Sequence, residues 1–155
     1  MIEQTQVWVG REQNPAKQYL MDYRALVKRR DALLDELDRM REATMRATSR
    51  MTATRLSGTS SHGGMEDSIL RVIDGEERLK QVIAGIDESL DARLSLIDQL
   101  TDERQKLVLT YRYINGLGWD EVIRKMQLSD RPVFIFHGKA LTEISRLIQI
   151  DSKNQ

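Results

Sequence analysis

Between residues 19 and 51 apolar side chains return every third or fourth position: Tyr19, Tyr23, Leu26, Leu33, Leu37, Met40, Ala47 and Met51. Arg30 and Thr44 fill the two polar places in the series. A stripe of this spacing covers one face of an α-helix. Kept up without Gly or Pro over this length, it is the pattern of a coiled-coil seam. A second stripe follows at Ile69, Val72, Leu79, Ile83, Ile86, Leu90, Ile97 and Leu100, with Glu76 and Arg93 as its polar places. Gly75 and Gly85 lie inside it; each costs a helix about 1 kcal/mol relative to Ala, or marks a close backbone approach. Pro15 suits a first helical turn and disfavours helix just before it, so the first helix is expected to begin there. Residues 1–14 form an arm whose apolar cluster, Val7-Trp8-Val9, either docks through Trp8 or stays unordered.

Between the stripes, residues 52–65 are rich in Ser, Thr and Gly and predict a flexible loop. The two segments are of nearly equal length, each about 50–55 Å as helix. Facing stripes joined by a short loop predict an antiparallel hairpin over 15–100, with Glu76 falling near Arg41. Two helices leave one side of each stripe poorly covered, so hairpins of two or more chains are expected to pack together as a homo-oligomer, a dimer or larger.

From Thr101 the rhythm shortens. Thr101 is a candidate N-cap, followed by Asp102-Glu103, which favour the positive end of a helix dipole. Leu107, Tyr111 and Ile114 form the expected apolar stripe, with Val108 beside it, and Asn115-Gly116 supplies a left-handed cap. A short helix over 119–126 follows, then a Gln127-Leu128 turn. The last helix is capped by Ser129, has Pro132 in its first turn and is expected to run to about Ile148. Its inner face is Val133, Phe136, Ala140, Leu141, Ile144 and Leu147. Two helices joined by a turn of three or four residues, the second long and N-capped, make a helix-turn-helix unit. The fold expected is therefore all-α: a coiled-coil-like antiparallel hairpin followed by a three-helix helix-turn-helix domain over 101–150, with a tail at 151–155.

Composition narrows the function. There is no Cys, which removes disulfides, Cys-based zinc sites and thiol nucleophiles. No apolar run reaches the roughly 18 residues of a membrane span, and residues 1–6 lack a signal-peptide pattern. A cytoplasmic protein in a bacterial host, without membrane contact, is the simplest expectation. No Walker loop is present, since neither Gly58 nor Gly63-Gly64 leads into Gly-Lys-Ser/Thr, and His62 and His137 are not in metal-binding spacing. No nucleophile is paired with a base, so neither an enzyme nor a bound cofactor or metal is expected. Net charge is zero but uneven: +4 over 15–56, −5 over 65–100 and +2 over 101–150. Two helices of opposite charge lying together explain this. The basic run Arg41, Arg46, Arg50 and Arg55 either pairs with Glu66, Asp67 and Asp74 or follows a DNA backbone.

The run Leu100-Thr101-Asp102-Glu103-Arg104, then Leu107, Leu109-Thr110-Tyr111-Arg112-Tyr113, Gly116-Leu117-Gly118-Trp119-Asp120-Glu121-Val122-Ile123, Met126, Leu128-Ser129 and Lys139-Ala140-Leu141 resembles region four of sigma factors. It looks closer still to phage ArpU/RinA-type regulators of late transcription, which also place a charged helical hairpin and a Gly/Ser-rich break before this domain. The resemblance covers about 16–148. It implies binding to double-stranded promoter or operator DNA, activation of phage late or packaging genes, and oligomerisation.

In region-four proteins the positions after the cap, and one turn on, face the bases; the resemblance carries that role to Asp130, Arg131, Phe134 and Ile135, behind Ser129. Arg131 suits a bidentate contact with guanine, and Asp130 can accept from a cytosine amino group. Phe134 and Ile135 depart from the polar residues usual there and suit either thymine methyls or a protein interface. His137 and Lys139 are candidates for phosphate contacts; the alternatives are a solvent-exposed or hairpin-packed histidine and a solvated lysine. Arg124 and Lys125, with Arg104 and Lys106, are candidates for backbone contacts or plain surface charge. Trp119 reads as an anchor for the short helix rather than a stacking platform. Two other functions stay open: a protein that grips RNA polymerase or another sigma factor, and a DNA-packaging oligomer of small-terminase type.

Overall fold

A computed structural model of the chain describes residues 14–58 and 63–154. The arm with Trp8, and the loop tip with His62, lie outside the described residues. Over those residues the protein is all-helical, with no strand. The helices are α1 (Pro15–Leu56), α2 (Gly63–Asp98), α3 (Glu103–Leu109), a π-helical turn (Thr110–Ile114), α4 (Trp119–Met126) and α5 (Asp130–Lys153). No helix among the described residues is long and apolar enough to cross a membrane. The chain divides into two compact units: Met1–Val27 with Ser89–Gln155, and Lys28–Glu88.

Every position of both stripes is buried or half-buried, including the polar ones. In the Lys28–Glu88 unit the two segments run antiparallel. Arg30 pairs with Asp87 at 3.6 Å and Arg55 with Glu66 at 3.2 Å. Between these contacts, Thr44 Oγ1 lies 3.1 Å from Glu76 Oε1. Glu76 therefore meets Thr44, whereas Arg41 pairs with Asp38 on its own helix. Helix α1 continues to Leu56, five residues past the last seam position, and α2 already begins at Gly63. Thr52 and Thr54 donate their hydroxyls to the carbonyls of Thr48 and Arg50, one turn back, which lets a Thr-rich segment stay helical. The turn after Leu56 includes Gly58 at φ 73°, a left-handed conformation that suits glycine.

In the other unit Asn14 caps α1. Its Oδ1 accepts from the amide of Ala16 at 2.9 Å and from the hydroxyl of Ser145, on α5, at 3.1 Å. Ala16, Leu20, Leu96, Ile97 and Leu100 join Val108, Leu109, Tyr113, Val122, Val133, Ala140, Leu141 and Ile144 in one core. Arg93 is buried with them. Its Nε donates to the Tyr19 carbonyl at 2.8 Å and its Nη1 to the Ser89 carbonyl and hydroxyl at 2.8 and 2.6 Å.

Two details of the C-terminal third differ from the sequence expectation. The cap of α3 is Asp102, whose carboxylate accepts from the Arg104 amide at 2.8 Å; the helix begins at Glu103, one residue later than a Thr101 cap would start it. The inward face is Val108, Leu109 and Tyr113, while Leu107 is left 38% exposed. The π-helical turn, closed by the Asn115 amide on the Thr110 carbonyl at 2.9 Å, takes more residues per turn and rotates the apolar face by about one position.

Candidate nucleic-acid interface

Gly116, at φ 71°, ends the π-helical turn in the left-handed conformation its missing Cβ permits. The Glu121 carboxylate accepts from the Gly118 amide at 3.3 Å and fixes the start of α4. Val122, fully buried, holds that helix to the core. Gln127, at φ 55°, then turns the chain sharply into α5. Ser129 occupies the cap position in extended conformation, but its hydroxyl makes no capping bond; the Asp130 carboxylate instead accepts from the Arg131 amide at 2.8 Å.

Helix α5 is anchored by Val133, Ala140, Leu141 and Ile144, and continues to Lys153 rather than stopping near Ile148. On its other side Ser129, Asp130, Arg131, Phe134, Ile135 and Lys139 are exposed. Phe134 and Ile135 remain 45% and 47% accessible, although Phe134 also rests on Trp119 at 4.8 Å between ring centroids. Arg124 and Lys125 are exposed in the last turn of α4, with Lys125 Nζ 5.9 Å from the Tyr111 ring. Lys139 borders a shallow depression with Thr101, Gln105 and Glu143, and Glu143 itself pairs with Arg146.

His137 points the other way. It is half-buried, with Nε2 2.8 Å from the Tyr113 hydroxyl and its ring edge-on to Trp119 at 4.8 Å. Burial, with Lys17 and then Arg112 nearby, pushes its pKa down to about 4, so the imidazole is neutral at physiological pH. Burial pushes the Tyr113 hydroxyl up to about 12. The histidine that the sequence offered for a phosphate contact is thus packed against Tyr113 and Trp119. Trp119 is the centre of this cluster, with the Arg112 guanidinium 4.9 Å from its ring.

Three cations that the sequence did not single out come together beside this cluster: Lys17, Arg24 and Arg112. Their signal was present but faint. Lys17, Met21 and Arg24 repeat at three-four spacing along α1, beside the seam. Among the described residues no three His, Asp or Glu side chains converge as metal ligands. Compared with family models, curated proteins and solved structures, the chain gives no match in any of the three.

Proposed function

We propose that this protein is a sequence-specific regulator of transcription of the phage ArpU/RinA type, binding double-stranded promoter DNA through a helix-turn-helix formed by α4 and α5. The observation that carries this reading is the two-sidedness of α5. Its inner face is fixed by fully buried Val133, Ala140 and Ile144, while Asp130, Arg131, Phe134 and Ile135 of its leading turns face outward. A rigidly held helix with an exposed N-terminal end is what entry into the major groove requires. Arg131 reads guanine through O6 and N7, and Arg124, Lys125 and Lys139 contact phosphates. His137, turned inward, serves the helix packing.

The helical hairpin assembles copies of the chain. Supporting this is the apolar area left on the Lys28–Glu88 unit, where Met45, Leu56, Leu70 and Ile73 are exposed. Mass measurement in solution tests it: a dimer fits a regulator, whereas a large closed ring fits a packaging subunit.

Selection of bound fragments from a random DNA pool at physiological salt tests the function. An enriched motif, bound less tightly as salt rises, is the expected result. The exposure of Phe134 and Ile135 favours one second reading, a dock for RNA polymerase; polymerase capture without DNA enrichment selects it.

A further inference from the structure

Lys17 and Arg24, from the first turns of α1, and Arg112, from the π-helical turn, line a cleft of about 330 Å³ whose wall is Tyr113, Trp119 and His137. No Asp or Glu lines it, and among the described residues none of the three cations forms an ion pair. Three like charges gathered around one hollow repel each other, and a bound anion relieves that repulsion. Both guanidiniums are held in place by main-chain carbonyls. Arg24 Nη1 donates to Ile114 at 3.2 Å and Arg112 Nη1 to Leu117 at 2.8 Å. Among the described residues their remaining N–H groups make no other hydrogen bond and can fork onto oxygens. Gly116 keeps the space for one of them: a Cβ there would stand 3.0 Å from Arg24 Nε. The cleft is also large enough for an organic group beside the anion, with an aromatic wall to receive it.

We propose that this cleft binds a phosphate group, with the forks of Arg24 and Arg112 on its oxygens and Lys17 as a point charge. The phosphate comes either from a free phosphorylated small molecule or from a nucleic-acid backbone; the chemistry is the same. The test uses the full chain with Trp8→Phe, so that only Trp119 fluoresces, titrated with pyrophosphate at constant ionic strength. A saturable change in fluorescence is expected, with affinity lowered about tenfold by Lys17→Gln and by Arg24→Gln, as for loss of one charge-assisted contact. Among the described residues the Lys17 side chain makes no hydrogen bond or ion pair, so its variant reports on the cleft even if Arg24→Gln loosens the Ile114 contact. Competition between pyrophosphate and a short duplex assigns the cleft to a backbone phosphate; equal binding to free and duplex-loaded protein assigns it to a small molecule. A protein without affinity for DNA would refute the regulator reading and leave the pyrophosphate result standing. No saturable change, or an affinity that neither variant lowers, overturns the proposal.

Discussion

Tyr113 and His137 share a hydrogen bond of 2.8 Å between a hydroxyl raised to a pKa of about 12 and an imidazole lowered to about 4. The pair joins the π-helical turn to α5, so its protonation state is tied to the seating of that helix. In the unfolded chain the histidine returns to about 6.5, and between 4 and 6.5 the unfolded state therefore binds more protons. The contribution of His137 is complete above about pH 6.5 and is lost as pH falls through about 4. It amounts to about 3.4 kcal/mol at most, the free-energy equivalent of that shift. Urea unfolding as a function of pH should show stability falling over that window, and His137→Gln should flatten the profile there.

Arg93 is a buried cation whose partners are oxygens of the main chain and a serine, not a carboxylate. Its guanidinium also stands 3.9 Å from the centre of the Tyr19 ring. Arg93→Met keeps most of the packing but removes the charge-assisted bonds to the Tyr19 carbonyl and to the Ser89 carbonyl and hydroxyl. Removing a buried partner of this kind costs about 1–3 kcal/mol, and denaturant unfolding should show a loss of that size.

The two glycines inside α2 separate helix propensity from space. Gly85 has nothing within 4 Å of where a Cβ would stand, whereas at Gly75 the Met40 methyl would be 2.8 Å away. Gly85→Ala should raise stability by about 0.5–1 kcal/mol. Gly75→Ala should gain less, because Met40 must move. Thermal melts of the two variants side by side measure the difference.

Gly116 is the opposite case. Its φ of 71° is strained for any residue with a Cβ, and the Arg24 side chain closes the space. Gly116→Ala should cost about 1–2 kcal/mol, read as a lowered midpoint in urea.

The three-four spacing made the long helices legible, because each seam residue had to be covered whatever the neighbour was. Even Arg30, Thr44, Glu76 and Arg93 take their places on the covered faces. The end of α1 was less legible. Thr52 and Thr54 resemble loop residues by composition, yet bond to carbonyls one turn back. The π-helical turn leaves no mark in a periodicity built on 3.6 residues, so the stripe through Leu107 was displaced from the true inner face at Val108, Leu109 and Tyr113. The outward placing of Arg131, Phe134 and Ile135 was expected from the resemblance to region four, and all three side chains are exposed. Lys17, Arg24 and Arg112 meet only through tertiary packing, with about ninety residues between Arg24 and the Ile114 carbonyl it binds.

The central claim, that the leading turn of α5 reads base edges, is tested most directly by Arg131→Ala. Its exposed side chain makes no contact the fold depends on, so stability should change by no more than about 0.5 kcal/mol. Fluorescence anisotropy would compare the duplex enriched by selection with a scrambled duplex of the same length and salt. The account predicts that the variant loses about tenfold or more of its affinity for the enriched duplex while binding the scrambled one nearly unchanged. Equal weakening on both duplexes, or no preference in the unaltered protein, would contradict it.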